Sequence, residues 1–413
     1  MDGVRTYANL DVAVRNDTSD VGEGPVFDPR TGHLLWVDIY GCKVFEDDLT
    51  AGRQTVTDVG TMVGAVAPRA VQDGFAVAVA DGFGYVTGGG LTLVDPVLPE
   101  PSLRMNDGKV DSQGRFWAGS NDMEFAPGQG RLHRWDGDGP SVVVADGLVL
   151  PNGLGWNAED TVMYLADSYA NLLYRADFHA ERGELGRLEV LTKTEGVGVP
   201  DGLAVDVEGC FWVAMHGGRE VRRYDPTGRV VGVVPVPVPQ PTSCAFGADG
   251  RLFITSARHG LSAEELANSP LSGSVFVVET GTEGFLSGRS APDPTRLGAA
   301  RIVGCWRPTV DHVNRERRDG QPRSRYRSRS MAISAPWCST SWLTHHTMSM
   351  NGSSASVMGP TRVPAPSPPH YEVRARSRRS IRASSKPTVR AAASIVVPWL
   401  MRCSARSRRR VCW

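Results

Sequence analysis

The 413-residue chain balances 45 Lys and Arg against 45 Asp and Glu, and its 46 glycines exceed the ~7% of an average protein. It is long enough to bury a sizeable core, and its seven scattered cysteines, with no Cys-x-x-Cys pair, argue against a disulfide scaffold or a structural zinc site and fit a reducing, cytoplasmic location. The charge balance is a cancellation: residues 1–300 hold 23 basic and 41 acidic side chains, residues 301–413 hold 22 and 4, so the chain reads as two pieces.

In chain order, the start Met1–Tyr7 has no apolar run of a leader peptide, and Leu10–Val14 alternates as a strand. From there one unit recurs, a turn residue followed by alternating apolar residues, at Gly32, Gly74, Gly114, Thr161, Gly209 and Gly250. The spacings of 42, 40, 47, 48 and 41 residues match a four-stranded blade and exceed a leucine-rich or ankyrin unit. Six copies predict an all-β, six-bladed β-propeller over residues 1–298. Trp36, Trp117 and Trp212 fall at one point of the repeat and are expected between blades. The one helical signal before residue 300 is a single turn at Ser262–Ala267. Ser274–Glu279 is the last good strand, and it or Leu10–Val14 is expected to close the ring, because an open blade edge invites aggregation.

A short polar segment precedes five of the six turns: Gly22-Glu23-Gly24-Pro25, Arg104-Met-Asn106-Asp107-Gly108, Pro151-Asn152-Gly153, Pro200-Asp201-Gly202 and Pro241-Thr-Ser243-Cys244. Near-equal offsets in a cyclic repeat place these segments at one level around the central channel. Glu23, Asn152 and Asp201 then offer two carboxylates and an amide oxygen from three blades. Hard oxygen donors of this kind suit a divalent ion, and three protein ligands leave positions open for water or substrate. Asn-Gly and Asp-Gly are equally favoured turn dipeptides, so spacing alone leaves both readings standing.

These segments, with Arg104 to Gly119 and Tyr164-Leu-Ala-Asp-Ser168, resemble the gluconolactonase, senescence marker protein and regucalcin family of six-bladed propellers over about residues 10–285. The resemblance implies one divalent ion, Ca²⁺, Zn²⁺, Mg²⁺ or Mn²⁺, held by Glu23, Asn152 and Asp201. It implies Asp201 as general base, substrate contacts from Arg104 and Asn106, and hydrolysis of a sugar lactone to the aldonic acid. The chemistry is self-consistent: lactone opening builds charge on the carbonyl oxygen, which a Lewis-acid cation stabilises, while a carboxylate takes the proton of the attacking water. Arg104 offers planar donors, and Asn106 offers both a donor and an acceptor to a polyhydroxylated ring.

Glu124 is a further candidate for a substrate hydroxyl, with a solvated loop carboxylate as the plainer reading. His216 is expected as a wall residue. Asp167 and Ser168 are expected to hold neighbours or form a turn, since no histidine occupies a matching position to activate Ser168.

After about Arg301 the pattern breaks into Arg, Ser and Pro mixtures such as Arg323–Ser330 and Arg374–Arg379. Residues 299–413 are therefore expected as a disordered tail, or as the product of reading a GC-rich gene out of frame; 41 Arg against four Lys fits such a gene. A genuine tail would be a candidate for nucleic-acid phosphates, although it lacks the interleaved aromatics of a single-strand binder. Ala391–Met401 is too short to span a bilayer and contains Pro398, so no membrane association is expected. The expected partner is a small-molecule sugar lactone. The competing functions are a calcium-dependent phosphotriesterase using the same site and a non-catalytic propeller that binds metal or a protein.

Overall fold

The structure, a computed structural model, describes residues 3–70 and 73–284. The end of the predicted propeller domain, 285–298, and the whole of the predicted tail lie outside the described residues, as do the readings attached to that tail.

Six antiparallel sheets stand around a central channel, each led by an inner strand: Gly22–Asp28, Val63–Pro68, Leu103–Val110, Pro151–Trp156, Val199–Val205 and Pro241–Phe246. Each inner strand packs on the next, and the sixth returns to the first. The ring closes with both strands that the sequence singled out, since Leu10–Val14 pairs antiparallel with Val275–Glu279 and forms the outer edge of the last blade. Arg5–Thr6 also adds a parallel fifth strand to blade five, against Val230–Pro235. The N-terminal segment thereby ties blades five and six together.

The recurring turn joins the inner strand to the second strand. Gly32, Gly74, Gly114, Gly209 and Gly250 all take left-handed φ values, between 75° and 89°, a conformation that other residues resist. In blade four the left-handed residue is Asp160, φ 53°, one position before the Thr161 of the sequence alignment, and an acidic side chain tolerates that region better than most.

An acidic residue ending the inner strand completes the turn in blades three and five. One oxygen of Asp111 accepts the backbone N–H groups of Gln113 and Arg115, and one of Asp206 those of Glu208 and Cys210. Their other oxygens accept the indole N–H of Trp117 and Trp212, both at 2.9 Å. Trp36 finds its acceptor in Asp47, at 2.7 Å. All three indoles are fully buried, as expected of residues between blades, and each needs such an acceptor because a buried unpaired N–H is costly. The predicted helical turn is the short helix Ala263–Asn268, with Ser262 and Glu265 forming a capping box.

Candidate active site

Five inner strands slip register where a predicted site segment lies. The pairing jumps between Glu23 and Val26, Met105 and Gly108, Pro151 and Leu154, Pro200 and Leu203, and Pro241 and Cys244. Such bulges set two residues against one and re-aim side chains. Pro151 and Pro200 are tolerated because each inner strand is an edge of its sheet, with no ladder partner on the other side. Blade two contributes only Gly64 at its bulge, where the backbone of Asn106 lies too close for any side chain.

The result is a buried polar cluster of Glu23, Arg104, Asn106, Asp107, Asn152 and Asp201, each no more than 6% exposed. Asn152 donates through Nδ2 to Ser168 Oγ at 3.1 Å and to Asp201 Oδ1. Its own Oδ1 is buried without a partner among the described residues. Arg104 donates through Nη1 to the Met105 carbonyl and to Asn106 Oδ1, at 2.9 and 2.8 Å, while its buried Nε has no partner among the described residues. Asn106 donates in turn to the Pro151 carbonyl, linking blades three and four.

Burial drives Glu23 and Asp201 well above the ordinary carboxylate range. Asp201 and Asp107 repel Glu23, and Asp107 repels Asp201; Gly24 N–H and Arg104 oppose the rise at Glu23, Arg104 and Asn152 at Asp201. Burial brings Asp107 to about 6, against the pull of Lys109 and of the Gly108 N–H. Lys109 crosses the channel to donate to the Leu203 carbonyl at 2.6 Å, and burial lowers its pKa. Cys244 is pushed up to about 12 by burial, so it is a thiol and no nucleophile at neutral pH.

Carboxylates raised in this way bind protons more tightly folded than unfolded. The stability they contribute is therefore full below their unfolded pKa and is lost as pH rises through the folded value. For Asp107 that window runs from 3.8 to about 6. We expect thermal melts in chelator to show the wild type losing stability across it relative to Asp107→Asn; parallel curves would refute the assignment.

The cluster fits a divalent cation. It gathers carboxylates that repel one another, plus an amide oxygen with no other partner among the described residues. Among the described residues no three His, Cys, Asp or Glu side chains form an ion cage by themselves.

The strand register places the ends of the second strands at the same mouth of the channel. Tyr40 lies beside Arg104, with the guanidinium carbon 6.0 Å from the ring centroid. Tyr169 follows Ser168 and packs edge-on against Phe125, centroids 4.8 Å apart. His216 ends its strand half-buried, and burial followed by repulsion from His259 lowers its pKa to about 4. His259 pairs with Asp20 at 3.1 Å.

Asp167 accepts the backbone N–H groups of Val149 and Leu150, and Ser168 holds Asn152. Glu124 stands apart from the buried cluster, exposed in the turn after Phe116–Asp122. At the opposite end of the channel, Val26, Val110, Trp156, Val205 and Phe246 line a cavity of about 310 Å³. Lys109 also borders that cavity, while its charge is felt by Asp107 and Glu23.

Asp107, Lys109, Tyr40 and Tyr169 received no role from the sequence. For Asp107 the signal was its place beside Asn106, but strict alternation allows only one of two neighbours to face the channel, and the bulge lifts that restriction. No helix among the described residues is long and apolar enough to cross a membrane.

Residues 21–258 match the family profile described as SMP-30/gluconolactonase/LRE-like region. The chain is 36% identical to regucalcin of Danio rerio over 64% of this chain and 92% of that protein. It is 32% identical to L-arabinolactonase of Azospirillum brasilense over 66% and 93%. The crystal structure of a calcium-binding protein, regucalcin, from Agrobacterium tumefaciens superposes with a TM-score of 0.64 at 30% identity, covering 71% of this chain and 99% of that one.

Proposed function

The chain belongs to the SMP-30/gluconolactonase/LRE-like family, and from that premise we propose that it is a carboxylic ester hydrolase that opens a sugar lactone to the aldonic acid. The observation that carries this reading is the buried convergence of Glu23, Asn152 and Asp201 from three blades, beside an Arg104 whose buried Nε has no partner among the described residues. The name of the L-arabinolactonase relative supports the substrate class.

Glu23, Asn152 and Asp201 would hold one divalent ion, and calcium binding by the Agrobacterium relative supports an ion here. When bound, such an ion offsets the mutual repulsion of the carboxylates and acts as a Lewis acid toward the substrate carbonyl. Asp201 takes a proton from the water that attacks the carbonyl carbon; as the ring C–O bond breaks, the same proton passes to the departing ring oxygen, leaving the hydroxy acid. Arg104 Nε and the amide of Asn106 orient the substrate's hydroxyls, and Glu124 reaches an outer hydroxyl from its turn. Asn152, itself tied to Ser168, holds Asp201 in place. Three free cysteines among the described residues, Cys42, Cys210 and Cys244, agree with a cytoplasmic setting.

The deciding experiment strips the whole chain of metal and reloads it with Ca²⁺, Mg²⁺, Mn²⁺ or Zn²⁺. Proton release from a panel of aldonolactones is then followed. Ion-dependent turnover is the expected result; background rates with every ion and every lactone, in folded protein, would overturn the reading.

A further inference from the structure

Tyr169 is the one aromatic residue among the large exposed hydrophobic side chains of the described structure, with 51% of its surface open. It occupies the turn closed by the hydrogen bond from Asn171 N to Ser168 O, directly after the serine that holds Asn152. Its ring nevertheless stands deep enough at the channel mouth for burial, and then Asp201 and Tyr40, to push the phenol above its ordinary pKa.

Its support carries an independent mark. Phe125, which meets the Tyr169 ring edge-on at 83°, has a left-handed backbone, φ 57°. That conformation is unfavourable for a bulky residue and persists only where its surroundings enforce it. Here Asp122 enforces it: its carbonyl accepts from Phe125 N, and its Oδ1 accepts from Glu124 N and Ala126 N. Two turns from neighbouring blades thus fix one aromatic pair at the mouth of the site.

We propose that Tyr169, backed by Phe125, is a specificity-determining wall of the substrate pocket, against which the C–H face of a ring-closed lactone packs. The inference rests on the lactonase reading and deepens it. A flat aromatic wall beside a polar floor of Arg104 and Asn106 selects a substrate with one apolar face and one hydroxylated edge, as a five- or six-membered sugar lactone has.

The test is steady-state kinetics on the lactone that the wild type turns over fastest. Tyr169→Ala raises KM roughly 3- to 10-fold with kcat within about twofold, the signature of lost ground-state binding, and Tyr169→Phe restores KM. Phe125→Asn, which keeps a residue tolerant of the left-handed region, raises KM in the same direction without lowering Tm. An unmoved KM in Tyr169→Ala, or a fall in kcat alone, overturns the assignment while the lactonase reading stands. A wild type that hydrolyses no lactone with any ion overturns both.

Discussion

Asp201→Asn is expected to lower kcat for lactone hydrolysis by about 10²- to 10⁴-fold while leaving the melting temperature unchanged or raised. The amide keeps an oxygen where Asn152 Nδ2 donates, so the hydrogen bond survives, but it cannot accept the proton of the attacking water. It also removes one of three buried carboxylates that repel one another, Glu23, Asp107 and Asp201. Sites of this kind hold strain for the sake of chemistry, and relieving it commonly stabilises a fold at the expense of activity. Paired measurements of kcat and Tm separate the two effects. Retention of full activity would remove Asp201 from the role of base, and a large fall in Tm would show that the carboxylate is structural.

The second large effect is expected at Gly153. A methyl group there would meet the backbone of the next blade, the Asp201 carbonyl at 2.5 Å and the Gly202 carbonyl carbon at 2.6 Å, as well as Leu203 N. None of these atoms can move without displacing the inner strand that carries Asp201. Gly153→Ala is therefore predicted to destabilise the propeller by about 3 kcal/mol, the upper end of ordinary overpacking, which lowers Tm by roughly 6–12 °C in a domain of this size. Because the displaced strand is the one bearing the base, activity measured well below the new Tm should fall as well. Gly155→Ala is the control. Its methyl group would meet only side-chain atoms, of Val205 at 3.0 Å and Leu203 at 3.1 Å, and a Tm loss equal to that of Gly153→Ala would disprove the argument from backbone contact.

Lys109 shows how far the chemistry of this site depends on distant partners. Its ammonium is tied to a carbonyl 94 residues away and faces Asp107. Nothing in the local sequence around it announces either contact.

The architecture is legible in the amino-acid sequence because each blade is a local unit: a turn that demands a left-handed residue, an alternating second strand, and a spacing of 40 to 48 residues. Period-two patterning and turn chemistry are short-range effects, so they are legible without the fold. They located the level of the buried polar cluster and the buried tryptophans, and they marked both strands that close the ring. The cyclic symmetry of the repeat turned equal offsets into a common height in the channel.

Packing between blades settles which neighbours on a strand face the channel, because the bulges break the alternation on which the sequence reading relied. It separated the exposed Glu124 from the cluster and brought in Asp107, which shares the repulsion among the carboxylates. It also set Tyr40, Phe125 and Tyr169 around the mouth. These placements arise from contacts between blades, where packing of one inner strand on the next fixes a side chain's direction and its solvation. Burial against residues distant in sequence is what raises the carboxylates and leaves the Asn152 oxygen without a partner among the described residues, and neither a spacing nor a composition encodes it.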